Sequence, residues 1–156
     1  MGGYKRHGWR RFALKKREDR METFNFLSDI PVFGLAVTDF PGGVGEAFEQ
    51  LIQKTGDPAG ARNYYGRMTL QQGRMVYFAV AEEKLPGEGI RYGYQEFVIE
   101  KGNYLYAPLA AWRNNLMCIR DLFYELSKDA RADAMKPAIE WYQNEDTMWC
   151  MVRAKD

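Results

Sequence analysis

From Glu22 onward the chain alternates apolar and polar residues in short runs, interrupted twice by longer stretches with helical spacing. Residues 22–27 and 31–38 read as two short β-leaning runs with a bend at Pro31. Pro41-Gly42-Gly43 is a loop signal. In the stretch from Val44 to Thr55, Val44, Ala47, Phe48, Leu51 and Ile52 fall on one face of a helix. Gly56 marks the end of that helix and Asp57-Pro58 stops it. Residues 62–70 and 74–82 are β-rich and meet at Gln71-Gln72-Gly73, a hairpin signature. Residues 85–93 carry Pro86 and three glycines and read as the longest loop.

The second half repeats this order. Residues 95–99 and 104–108 lean to strand, with Lys101-Gly102-Asn103 as a turn. Leu116, Ile119, Leu122, Phe123 and Leu126 give a second amphipathic helix over 116–127. Residues 138–143 and 147–154 are strands joined at Asn144-Glu145-Asp146. Each half thus reads strand, helix, strand, turn, strand. Phe48-Glu-Gln-Leu51 in one helix matches Phe123-Tyr-Glu-Leu126 in the other, and Met75–Val80 matches Met148–Val152. This predicts an α+β fold of duplicated βαββ units, with a groove between the halves as a ligand site.

Composition and charge narrow the functional classes. A chain of 156 residues with 46% apolar and 28% charged residues is globular, long enough for one core and too short for separate catalytic and binding domains. Residues 1–20 hold eight Lys/Arg against two acids, whereas the rest carries fourteen basic and nineteen acidic residues. The expected organisation is a basic leader over 1–21 and a single folded domain over 22–156. The leader reads either as an arm for nucleic acid or acidic lipid, or as a solvated tail preceding a start at Met21. A net charge of +1 gives no overall pull toward nucleic acid. Two cysteines, Cys118 and Cys150, do not make a disulfide framework, and one histidine, His7, with no CxxC leaves no structural zinc site. No apolar run is long enough to span a bilayer and no secretory signal is visible, so the expected location is the cytoplasm. No metal or other cofactor is expected, and oligomeric state is not readable.

The candidate chemistry lies in Ile139-Glu140-Trp141-Tyr142. Strand alternation puts Ile139 and Trp141 on one face and Glu140 and Tyr142 on the other. If the second face is solvent, Glu140 is an ordinary surface acid. If it lines a groove, Glu140 is a carboxyl among aromatics, its pKa raised by lost hydration. A cation would then supply the missing counter-charge, and nearby rings would add cation–π attraction. The same raised pKa suits a general acid or base.

Pro137-Ala-Ile-Glu-Trp-Tyr142, followed by a turn and an apolar last strand, resembles the end of the GyrI-like small-molecule-binding domain. That superfamily includes the effector-binding domains of AraC-type and MerR-type multidrug regulators. Phe97-Val-Ile-Glu-Lys-Gly-Asn-Tyr104, the helix from Leu116 to Leu126 and the stretch from Ile30 to Leu51 resemble further family segments, so the likeness covers about residues 22–155. It implies two βαββ repeats about a pseudo-two-fold axis, with a ligand channel between them and Glu140 facing it. Some members resemble hydrolases of strained electrophiles. The chain is expected to be a stand-alone member, without the regulators' DNA-binding domain, and Ala110-Ala111-Trp112-Arg113-Asn114 stands where many members have a His-Gly-like loop. Tyr106, Trp112 and Tyr142 are the channel candidates beside Glu140. The expected function is binding of a small amphipathic or cationic aromatic molecule. The alternatives are a hydrolase using Glu140 as acid or base, and a protein- or nucleic-acid-binding module acting through the basic leader.

Overall fold

A computed structural model describes residues 21–57 and 60–156, so the basic stretch 1–20 and the roles considered for it lie outside the described residues. In chain order the elements are β1 (Glu22–Phe26), β2 (Ile30–Ala36), α1 (Val44–Thr55), β3 (Tyr64–Gln71), β4 (Arg74–Glu82), α2 (Glu88–Arg91), β5 (Gln95–Ile99) and β6 (Gly102–Ala110). A 3-10 turn (Trp112–Asn114), α3 (Leu116–Lys128), β7 (Ala138–Tyr142) and β8 (Thr147–Arg153) complete them. The strands form one antiparallel sheet in the order β1-β6-β8-β7-β3-β4-β2-β5.

That order forces the sheet to curl. Among the described residues β1 pairs with β6 alone, at one edge, yet Leu27-Ser28-Asp29 must carry the chain directly into β2, which pairs with β5 at the other edge. Three residues span only about 10 Å when extended, so the two edges approach one another and the sheet becomes a half-barrel. Asp29 Oδ1 accepts the Lys101 N–H at 2.8 Å, tying the β1–β2 and β5–β6 connections together, and Asn25 Nδ2 donates to Asn103 Oδ1 at 2.8 Å across the β1–β6 pair.

The curl gives the sheet two different faces. Inside it, Phe26, Val32, Tyr65, Val80, Ile99, Tyr104 and Ile139 form one buried cluster drawn from both edges and the centre. On the outer face each helix packs over its own half. α1 sets Ala47 and Leu51 against Phe33, Tyr77 and Ala79. α3 sets Leu126, with Ile119, Leu122 and Phe123, against Leu105, Met148 and Cys150. The central pair β3–β7 lies between the two helices. α1 ends where its sequence says it should: Gly56 takes the left-handed conformation at φ +66°, and its N–H and that of Asp57 close onto Gln53 and Ile52 carbonyls.

Three local expectations need correction. Pro31 is no bend but the second residue of β2; its carbonyl accepts the Glu83 N–H at 2.9 Å, and the ladder with β4 starts one residue later, so the missing proline donor falls outside that ladder. The turn expected at 101–103 is shorter, because β6 already begins at Gly102. The loop over 85–93 contains α2, held by a buried ion pair. Arg62 grips Glu88 with both guanidinium nitrogens, at 3.0 and 2.9 Å, and Asp57 accepts the Ala61 and Arg62 N–H groups and the Tyr64 hydroxyl. Burial alone would raise the Glu88 carboxyl, but the Arg62 contact and the Lys84 and Leu85 N–H groups outweigh it and hold its pKa at about 2.

Candidate functional site

β7 crosses the middle of the outer face, in register with β3 and β8. Glu140 lies opposite Gly66 on one side and Cys150 on the other, so its side chain rises between the two helices. Only 5% of Glu140 is exposed, and the nearest polar groups are phenols rather than cations. The hydroxyls of Tyr77 on β4 and Tyr142 on β7 both donate to Glu140 Oε1 at 2.7 Å, and the two phenol oxygens stand 3.1 Å apart. Among the described residues no hydrogen bond to Oε2 accompanies them. Burial is the larger influence and raises the Glu140 pKa; the two phenol donors pull the other way without cancelling it. Burial, then the neighbouring carboxylate, pushes the Tyr77 hydroxyl well above its usual value.

Gly66 makes the cluster possible. A Cβ there would run into the Tyr77 hydroxyl and would stand 2.6 Å from Glu140 Oε1, inside van der Waals contact. The missing side chain is the space that carboxyl and phenol share. Rings close round it. Phe48 of α1 and Trp112 of the 3-10 turn flank Tyr142 edge-on, with centroids 5.1 and 5.3 Å away, and Phe40 leans on Tyr77 at 5.0 Å. Phe40 is 40% exposed, and Phe48, Trp112 and Tyr142 are half-buried, so Phe40 is the outermost of these rings. The Trp112 indole N–H is buried without a partner, and the Arg113 guanidinium covers the ring at 4.7 Å. The arrangement can neutralise a positive charge at its base and offer ring faces along its walls. It can also hold a proton on a carboxyl at a pH where a free one would be ionised.

Glu140, Tyr142 and Trp112 therefore come together. Tyr106 does not: it sits on the inner face, stacked on Trp149 at 4.1 Å with its hydroxyl donating to Glu22 at 2.6 Å, a contact that with burial lifts its pKa to about 12. Sequence pattern alone missed Tyr77, Phe48, Phe40 and Gly66. The hairpin at 71–73 carried a signal for one of them, since it places Tyr77 opposite Met68, on the face shared by Gly66 and Glu140. Among the described residues no cluster of three or more His, Cys, Asp or Glu is placed to hold a metal ion, and no helix is long and apolar enough to cross a membrane.

The fold recurs in solved structures. The chain is similar to an integron cassette protein from the mobile metagenome of Vibrio cholerae (TM-score 0.64, 11% identity, 86% of this chain and 95% of that one). It is similar to SAV2435 bound to tetraphenylphosphonium (TM-score 0.58, 13% identity, 85% and 93%). It is also similar to a hydrolase from Listeria innocua (TM-score 0.56, 9% identity, 96% and 98%). At these identities the likeness is one of fold alone. No family model matches the chain, and neither does any curated protein.

Proposed function

We propose that this protein binds small lipophilic cations over the central strands β3 and β7, between α1 and α3, with Glu140 as the counter-charge and Tyr142, Trp112, Phe48 and Tyr77 as the surrounding rings. The observation that carries this reading is the buried carboxyl held by two phenols and, among the described residues, by no cation. A carboxylate taken out of water is costly unless it is paired, so a positively charged guest has an electrostatic reason to enter. A guest with delocalised charge and apolar rings gives up little hydration and gains contact with the aromatic walls. Tetraphenylphosphonium, the ligand of one structural neighbour, has this chemistry.

The GyrI-like reading and the duplicated fold belong to the same proposal. Exchanging β1–β4 with β5–β8 reverses the strand order end for end, as a two-fold axis between β3 and β7 requires. Gly66 and Glu140 then face one another across that axis, so one half supplies the acid and the other the space for it.

Thermal unfolding with tetraphenylphosphonium and with neutral triphenylphosphine oxide tests the reading. At 100 times its dissociation constant the cation should stabilise by about 2.7 kcal/mol, the neutral compound much less, and Glu140→Gln should remove most of the cation effect. Equal stabilisation of both proteins would overturn it. The hydrolytic alternative rests on the raised Glu140 pKa and predicts turnover of a small electrophile that disappears in the same variant.

A further inference from the structure

The inner face of the half-barrel holds hydrogen-bond donors that the described residues do not satisfy. Tyr65 is fully buried, at 0% exposure, and its hydroxyl has no partner. The indole N–H of Trp141, its cross-strand neighbour with rings 5.5 Å apart, is also buried and unpartnered. Two residues along β3, on the same face, Arg67 lies half-buried with its guanidinium 4.2 Å above the Phe97 ring and no carboxylate among its described contacts. Burial lowers its pKa. The face is lined by half-exposed rings: Phe97 packs edge-on to Phe78 at 4.7 Å on one wall, and Trp149 packs against Trp141 at 5.4 Å on the other. Glu82 lies near Tyr65 but is occupied by the Asn63 N–H at 3.3 Å and by Lys84 at 3.8 Å.

Buried donors are normally paired. On one ring-lined face, two buried donors and Arg67 thus have no acceptor among the described residues; Glu22, the carboxylate also on this face, is taken by the Tyr106 hydroxyl at 2.6 Å. We propose that this inner face is a second binding site, taking a small flat aromatic anion whose carboxylate meets Arg67 and whose ring lies against the tryptophan wall. It is separated from Glu140 by the thickness of the sheet and has the opposite charge preference, and it stands whether or not the cation site is as proposed.

The test uses 2-naphthoate, its neutral amide 2-naphthamide, and protein carrying 15N-labelled tryptophan, whose four indole resonances separate Trp141 from Trp112; Trp141→Phe identifies the former by its loss. The expected result is that 2-naphthoate moves the Trp141 resonance and leaves that of Trp112, while tetraphenylphosphonium does not move Trp141. Arg67→Met, which keeps the packing over Phe97, should weaken 2-naphthoate about tenfold or more, and Glu140→Gln should leave it unchanged. Should Arg67→Met not fold, the weaker binding of the amide to the unmodified protein carries the same comparison. The proposal is overturned if 2-naphthoate leaves Trp141 unmoved into the millimolar range, if the amide binds as well as the anion, or if a folded Arg67→Met binds like the unmodified protein.

Discussion

Glu140 concentrates the chemistry of the outer face in a single residue. Its carboxyl pays for burial with a raised pKa, which fixes the sign of two pH effects. A group whose acidic form is favoured by folding binds more protons folded than unfolded between its two pKa values, so stability falls as pH rises through that window. Glu140→Gln removes this penalty, and its unfolding temperature should exceed that of the unmodified protein at neutral pH and converge with it below pH 4.5, the ordinary carboxyl value. Cation affinity should run the other way, rising with pH as Glu140 ionises. Tyr77→Phe, which removes one of the two donors to Oε1, should move that rise to higher pH. Gly66→Ala should cost about 1–3 kcal/mol through overcrowding and lose cation binding with it, both readable by thermal unfolding with and without tetraphenylphosphonium. Trp112→Ala should weaken that cation by roughly 0.5–2 kcal/mol, measured by calorimetry.

Among the elements, helices and strands were legible because their apolar spacing is unambiguous: Val44 to Ile52 and Leu116 to Leu126 have no reading other than a helix face. The alternation of Ile139-Glu140-Trp141-Tyr142 likewise separates two faces, and the structure puts Ile139 and Trp141 inside and Glu140 and Tyr142 outside. What alternation does not convey is register. Tyr106 and Tyr142 look alike along their strands, yet the pairing of Tyr106 with Met151 and of Met151 with Ile139 puts Tyr106 on the inner face. Tyr77 and Gly66 come to Glu140 only through cross-strand pairing, which one strand's pattern does not contain. α2 was hidden for another reason: its four residues are held in place by the Arg62–Glu88 pair, a contact 26 positions apart, rather than by helical periodicity. Arg62→Met would leave Glu88 and Asp57 buried without their cation and should cost about 3–5 kcal/mol. The stabilisation from Glu88 is complete above its unfolded value of 4.5 and is lost as pH falls toward about 2. The stability gap between Arg62→Met and the unmodified protein should therefore narrow as pH falls from 4.5 toward 2, read by thermal unfolding against pH.

Over the whole molecule, one curled sheet separates two environments of opposite character. The outer face sets a buried acid between two helices, and the inner face holds two buried donors, on Tyr65 and Trp141, that no described residue accepts. The strand order that brings the edges together is also what sets the central pair β3–β7, and with it Glu140, between the parts of the sheet that α1 and α3 cover. The central claim is that this carboxyl is the counter-charge for a cation, and the most direct measurement is its own titration. Carboxyl 13C resonances of labelled glutamate, followed against pH with and without saturating tetraphenylphosphonium, report it, with Glu140→Gln identifying the signal. The expected midpoint lies above the ordinary carboxylate range in the free protein and falls clearly when the cation is bound. An unchanged midpoint in the presence of bound cation would contradict it.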